Sequence, residues 1–459
     1  MNDYESFFSF LEKNQPYFNM DDILVVSHLD TDGVTSLSLF KKFYEDKNPH
    51  LKIIQQLDDE CIDEISNMPQ KNVIILDSGS LKLNSIKKKL SNKNRVIIID
   101  HHEIEDDCQL PENIIFINPF LFGINGSKEI STAGISYLIL KELNPEIKKF
   151  IYLSLIGAFG DYQYQNNFLY LNRILQQEAV DNKIVIVRKE LNIFRLNSQP
   201  LSFTLTFSGD FKIPKLYRKE SYVYEFLKKL NIDGKKTFSQ IDGNQQKKLV
   251  NAIKKITPFH LRKYLFSYHI LIHPNLLNDE GKLYEAKEIS TYLNGLSRLF
   301  NVKLGIDFCL DLCNNLTEVK IENKKYKSQI SNAMKIYYDM RANGTVFEND
   351  LIIYINYKDK LNPNLVGILS SMLTKGGIEQ TKKIVIISAY QKNNFKLSFR
   401  VHNKSNYNLN NLARKLVENY GGEAGGHKQA SGAVTKKEHE EEIIKKIKQI
   451  DENILNSNF

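Results

Sequence analysis

Four branched apolar residues, Val96-Ile97-Ile98-Ile99, stop abruptly at Asp100-His101-His102. A short run this uniformly apolar reads as a strand buried on both faces of a parallel sheet. Ligands of open α/β sheets gather outside the carboxyl ends of the strands, where this acid and two imidazoles fall. The pattern recurs along the chain. Ile23-Leu24-Val25-Val26-Ser27 runs into His28-Leu29-Asp30-Thr31-Asp32-Gly33, and Val73-Ile74-Ile75-Leu76 runs into Asp77. A fourth apolar segment, strand or helix, covers 153–160 and delivers Asp161. Each of these four elements presents a carboxylate, and two also present histidine.

A chain of 459 residues is too long for one core and suits two or three domains. Strands are expected near 23–27, 51–56, 72–76, 95–99 and 113–117. Helices are expected near 34–45, 59–67, 83–91 and 131–142, the last capped by Ser131. This alternation predicts an α/β fold whose first domain, 1–165, is a parallel sheet with helices on both faces. Residues 166–325 read as a Lys-rich, mostly helical linker and middle module. Residues 326–459 read as a smaller α/β domain, with strands near 351–355, 383–387, 395–400 and 430–434.

Lys and Arg exceed Asp and Glu by 62 to 54, giving a formal charge of +8. That bias is compatible with a polyanionic partner, but a Lys-rich, Asn-rich composition explains it equally well. No run approaches a membrane span, and the first residues lack a signal peptide's basic and apolar regions. Cys61, Cys108, Cys309 and Cys313 form no C-x-x-C pair, so a disulfide framework is not expected in so large a chain. The expectation is a reduced, cytoplasmic protein.

His28, Asp30, Asp32, Asp77, Asp100, His101, His102 and Asp161 make sense together as a metal site. Carboxylates gathered at one sheet edge raise one another's pKa unless a cation neutralises them. Mixed carboxylate and imidazole suits a divalent ion such as Mn²⁺ better than an all-oxygen calcium cage or a thiolate zinc site. A lone Asp-x-Asp-Gly is commonly a turn, and a lone His-His is commonly structural. Their conjunction on four successive elements argues otherwise. The set is rich enough for two ions bridged by one carboxylate, the usual device for attack on a phosphodiester.

These residues, in this order, resemble the four successive motifs of the DHH phosphoesterases. Gly421-Gly422-x-x-Gly425-Gly426-His427 resembles the glycine-rich signature of the C-terminal domain associated with that family. The similarity is greatest to the archaeal RecJ-like branch, the GINS-associated nucleases. The resemblance implies one ion, Mn²⁺ or Mg²⁺, on His28, Asp30 and Asp77, and a second on Asp32, Asp77, His101 and Asp161. It further implies that Asp100 orients His101, and that His102 faces the scissile phosphate as acid or electrostatic stabiliser. Arg400, Gly425, Gly426 and His427, with Arg298 as a weaker candidate, would grip the nucleotide being cleaved.

The implied activity is a metal-dependent exonuclease acting on single-stranded DNA or RNA, in replication or repair, with the GINS complex as a hypothetical partner. The alternatives are a phosphodiesterase of short oligonucleotides or cyclic dinucleotides, and a replisome scaffold. Relatives with the scaffold role have lost metal ligands, whereas every motif is intact here. A manganese pyrophosphatase would share the first domain but not the glycine-rich second one.

Overall fold

The computed structural model describes residues 3–104, 109–164, 167–277, 279–375, 383–401 and 407–451, with His427 described by its backbone alone. Cys108 lies outside the described residues; Cys61, Cys309 and Cys313 are free thiols. The chain divides into two compact units, Met1–Ile321 and Glu322–Phe459.

In the first unit β1 (Ile23–His28), β2 (His50–Ile54), β3 (Asn72–Leu76), β4 (Arg95–Ile99) and β5 (Ile114–Ile117) form one sheet, ordered β2-β1-β3-β4-β5. Every neighbouring pair is parallel. Helices α1 (Asp3–Asn14), α2 (Thr31–Phe43), α3 (Asp59–Asn67), α4 (Leu83–Lys89), α5 (Thr132–Leu143) and α6 (Tyr152–Gly160) accompany it. Residues alternating along each strand feed separate cores. Val25, Ile74, Leu76, Ile97 and Ile99 pack with α1, α2, α5 and α6, whereas Leu24, Val26, Val73, Ile75, Val96 and Ile98 pack with α3 and α4. Both faces are therefore covered, which is why the strands read as unbroken apolar runs.

The strand order reverses at β1, because β2 and β3 flank it on opposite sides. Such a switch point opens a crevice beyond the strand ends. His28 ends β1, Asp77 follows β3 and Asp100 follows β4. The segment 153–160 is helical: α6 begins at Tyr152, is buried over most of its length and hands on to Asp161 at its C-cap.

The segment read as a middle module is helix-rich, but it also contains an unanticipated antiparallel pair, β6 (Val185–Leu191) and β7 (Phe266–Ile272). Arg188, Lys189 and Glu190 in β6 break the apolar signal of a buried strand. Between the two strands, Ile193, Leu196, Leu205, Leu216, Leu249 and Ile253 belong to a core of their own. Even so, everything through Ile321 gathers into one unit with the parallel sheet, and the division falls within the 31-residue helix Leu312–Ala342.

The second unit contains β8 (Phe347–Glu348), β9 (Ile352–Asn356), β10 (Ile384–Gln391), β11 (Asn394–Arg400), β12 (Glu423–His427) and β13 (Ala430–Lys436). They form a mixed sheet ordered β12-β13-β11-β10-β9-β8. Its core joins Phe395, Leu397 and Phe399 to the helices Leu409–Val417 and Glu440–Lys448. Among the described residues no helix is long and apolar enough to cross a membrane.

Candidate metal centre

Asp30 is the N-cap of α2, and its carboxylate accepts the Gly33 N–H at 3.1 Å. Two residues on, about half a helical turn, Asp32 is fully buried. Both Asp32 oxygens are held by the first turn of α5, accepting the Thr132 N–H at 2.6 Å and the Ala133 N–H at 3.0 Å. The positive end of a helix dipole thus fixes this carboxylate. Helix α6 must come close for this to work. A Cβ on Gly157 would fall 2.3 Å from Asp32 Oδ1, so only glycine fits there.

Asp77 sits just past β3 with φ +57°, the left-handed region that Asp tolerates better than most residues. It occupies the middle of the cluster. His28 Nδ1 lies 3.1 Å from Asp30 Oδ2 and 3.4 Å from Asp77 Oδ2. On the other side, His101 Nε2 lies 3.4 Å from Asp77 Oδ1, 3.1 Å from Asp161 Oδ2 and 3.9 Å from Asp32 Oδ2. Two main donor sets result, His28, Asp30 and Asp77 on one side and Asp32, Asp77, His101 and Asp161 on the other, with His102 also within reach of Asp77 and His101; within each group, one ligand atom per residue lies within 4.8 Å of the rest. Asp77 is common to both.

The expected role of Asp100 needs correcting. Its carboxylate accepts the backbone N–H groups of Ser80 at 2.9 Å and His101 at 2.8 Å, and its Oδ1 lies 2.7 Å from Nδ1 of His102. The ring that Asp100 orients is therefore His102. The His101 ring is aimed by the Gly126 carbonyl, 2.9 Å from its Nδ1, which leaves Nε2 facing the carboxylates. Gly126 can do this only because it lacks a side chain, since a Cβ there would meet the His101 carbonyl oxygen at 2.1 Å.

Burial and crowding distort the titration of these groups. Burial would lower the His28 imidazole, but the Asp30 and Asp77 carboxylates override it and hold the ring well above its usual range. His101 is raised in the same way, by Asp161 and Asp77 against its burial. Burial, then the charges of Asp161 and Asp77, push Asp32 well up. Burial also leads for Asp161, which rises to about 6 despite the nearby His101. His102 is raised by Asp100 against its own burial, and Asp100 is held below the carboxylate range by His102 despite being buried.

Four atoms carry the argument for a metal. His28 Nδ1, Asp77 Oδ2, His101 Nε2 and Asp161 Oδ2 are buried and make no hydrogen bond, facing one another, His28 to Asp77 at 3.4 Å and His101 to Asp161 at 3.1 Å. Buried polar atoms left unpaired are costly, and mutually repelling carboxylates more so. A divalent cation in each donor set would satisfy them, and mixed oxygen and imidazole donors fit such an ion.

The remaining sequence candidates lie elsewhere. Arg298 closes the helix Ala286–Arg298, whose Ser290 carbonyl accepts the Thr31 hydroxyl at 3.2 Å. In the second unit, Arg400, Ala430 and His427 stand in register across β11, β13 and β12, beside the pairing of Gly426 with Ser431. Arg400 donates to the Ser371 hydroxyl at 3.1 Å and the Ser431 carbonyl at 3.1 Å. The glycine-rich signature is thus an edge strand, and Gly426, at φ +135°, could not carry a side chain without meeting Ala430 and Ser431. Thr132, Gly126 and Ala133 escaped the sequence reading because backbone atoms do most of their work.

Comparison with known proteins gives the following. The model of the DHH family, N-terminal domain, matches residues 22–158, and that of the DHHA1 domain matches 349–453. An uncharacterized protein of Methanocaldococcus jannaschii is 30% identical over 441 residues, covering 93% of each chain. The structure of CDC45 from Entamoeba histolytica is 12% identical with a TM-score of 0.64, over 98% of this chain and 99% of that one. RecJ from Thermus thermophilus, in complex with Mn²⁺, is 15% identical with a TM-score of 0.54. That match covers 97% of this chain but 54% of RecJ, so the present chain spans about half its length. At these identities the likeness to both structures is one of fold.

Proposed function

The chain belongs to the DHH family, and from that membership we propose that it is a metal-dependent phosphodiesterase releasing nucleoside monophosphates from one end of single-stranded DNA or RNA. The observation that carries the proposal is the position of Asp77, shared by two donor sets whose inward-facing atoms lack partners. Two divalent cations, Mn²⁺ or Mg²⁺, would bind there, one on His28, Asp30 and Asp77 and one on Asp32, Asp77, His101 and Asp161. Bound as a pair, they supply a nucleophilic water at neutral pH and neutralise the phosphodiester's charge.

The protein's own groups do the rest. Asp32, clamped by the start of α5, and His101, aimed by Gly126, keep the donors from collapsing onto one another. His102 is half exposed, with Nδ1 turned to Asp100, so Nε2 is the nitrogen available to substrate. Asp100 raises its pKa against its burial, which favours the protonated ring. That proton is placed to pass to the departing oxyanion, general acid catalysis of the usual kind. Arg400 and the Gly425-Gly426-His427 strand would bind the nucleotide being released, through charge and close backbone approach. A replisome role alongside GINS is the partnership this reading favours.

The test uses single-stranded DNA and RNA oligomers labelled separately at each end, with Mn²⁺ and with Asp77→Ala as control. Mononucleotides released from long strands, and no turnover by the variant, are expected. Cleavage restricted to dimers through pentamers would replace this reading with the short-oligonucleotide one. Silence on every substrate would leave a scaffold. Near wild-type turnover by Asp77→Ala would sink the shared-ligand assignment.

A further inference from the structure

The first unit carries an open pocket of about 230 Å³, reached by the last turn of α6, that the reaction as described does not use. Three aromatic residues, Phe159, Tyr164 and Tyr268, contribute to its wall. They are tied together. The rings of Phe159 and Tyr164 lie 4.8 Å apart, and the Tyr164 hydroxyl donates to the Tyr268 carbonyl at 2.6 Å. Phe159 lies in the last turn of α6, two residues before the metal-facing Asp161; their Cα atoms are about 5 Å apart by helical geometry, with the two side chains on different sides of the helix.

The polar lining is unlike an anion site, because every charge in it is already matched. Lys287 reaches Asp210 at 2.6 Å, and His269 Nδ1 faces Glu285 at 3.0 Å. His269 Nε2 lies 2.9 Å from the Leu191 carbonyl and 3.1 Å from the Ser267 hydroxyl. Both ring nitrogens thus lie near oxygens, an arrangement that favours the doubly protonated ring. Burial would lower its pKa, but Glu285 overrides that and raises it. An imidazolium cannot take a proton from Ser267, which rules out a nucleophilic Ser-His-Glu triad despite the spacing. With its oxygen accepting from His269, Ser267 has a proton to offer into the pocket. Asn192 gives an amide hydrogen to the Tyr264 carbonyl at 3.2 Å and keeps its side-chain oxygen as an acceptor.

Aromatic walls, no uncompensated charge, and a donor beside an acceptor describe a site for a flat heterocycle rather than a phosphate. We propose that this pocket receives the nucleobase of the nucleotide adjoining the phosphate at the metal centre. The placement relative to the scissile phosphate rests on the phosphodiesterase reading above; the recognition of a base does not. Discrimination of substrate by base or sugar-base conformation would then be set by β7 and the start of the helix Ala286–Arg298, not by the metal ligands.

The test is binding in the presence of chelator, so that it is separate from hydrolysis. Adenosine, guanosine, cytidine, uridine, thymidine and inorganic phosphate are titrated against the full chain by saturation-transfer NMR. At least one nucleoside should bind, and Tyr268→Ala and Ser267→Ala should each weaken it about tenfold, the value of one lost stacking or hydrogen-bonding partner. Tyr268 is 43% exposed, so its truncation leaves the fold intact. The proposal is overturned if no nucleoside binds at millimolar concentration, if neither variant weakens binding, or if inorganic phosphate displaces the nucleoside. Oligomers ending in an abasic residue provide the second arm, and wild type should cleave them with a raised KM that Tyr268→Ala no longer distinguishes. Nucleoside binding without hydrolysis of any oligomer would refute the phosphodiesterase reading and leave the base pocket standing.

Discussion

Replacing Asp161 by Asn should stabilise the metal-free protein at neutral pH while weakening its grip on metal. The carboxyl titrates at about 6 in the folded chain against an ordinary 3.8, raised first by burial and then by Asp77 and Asp30. A carboxyl raised in this way contributes stability that is complete below about pH 4 and is lost as pH climbs through about 6. The difference amounts to about 3 kcal/mol. His28 and His101 act in the same direction, since their raised imidazoles lose their advantage as they deprotonate above neutrality. Thermal melts in chelator should therefore show wild type losing stability from pH 4.5 to 7.5. Asp161→Asn, which carries no charge to repel, should lose less and exceed wild type at pH 7.5 by up to about 3 kcal/mol. Mn²⁺ reverses the order, because the Asp161 carboxylate is a stronger ligand than a neutral amide; binding must still expel the protons. One proton displaced costs about tenfold in affinity, or about 1.4 kcal/mol, for each unit of pH lowered. The His28 set should lose about tenfold per unit below neutrality, and the His101 set a further tenfold below about pH 6 as Asp161 protonates. Calorimetric Mn²⁺ titrations in two buffers of different ionisation enthalpy count the released protons. Uptake without proton release, or an Asp161→Asn variant less stable than wild type at pH 7.5 in chelator, would refute the reasoning.

Three further substitutions probe the support of the site. Gly157→Ala puts a methyl where Asp32 Oδ1 stands, so α6 must shift; an overpacking cost of about 1–3 kcal/mol and weaker Mn²⁺ binding should appear together in melts with and without metal. His102→Asn should leave Mn²⁺ affinity unchanged while lowering kcat about 10²–10⁴-fold, as loss of a general acid does; equal loss of metal would make His102 a ligand instead. Arg195→Met should cost about 3–5 kcal/mol in denaturant titrations, because the buried Glu288 loses the guanidinium 3.1 Å away and keeps only the hydroxyls of Ser198 and Tyr292.

The site was legible in the sequence because its ligands are punctuation. Each of His28, Asp77 and Asp100 interrupts a run of buried apolar residues at the end of a strand, and a side chain that stops such a run has few roles other than chemistry. What stayed hidden is whatever depends on backbone atoms or on mutual distance. The choice of His102 over His101 as the ring partner of Asp100 turns on ring placement, and the two are adjacent in the chain. The clamp on Asp32 comes from two N–H groups that any residue at 132 and 133 would offer; the readable trace is Gly157, required by their close approach. β6 was invisible because the consecutive charged residues Arg188, Lys189 and Glu190 lie in a two-stranded ladder, where neither alternation nor an apolar run survives. The same ladder brings His269 and Ser267 beside Phe159, which lies more than a hundred residues earlier in the chain, so the pocket has no sequence signature at all. A metal centre can be spelled in motifs, since each element end contributes its own ligand. A pocket assembled from a ladder of two strands far apart in the chain and the last turn of a distant helix exists only once the chain has folded, and specificity built there evolves without touching any motif.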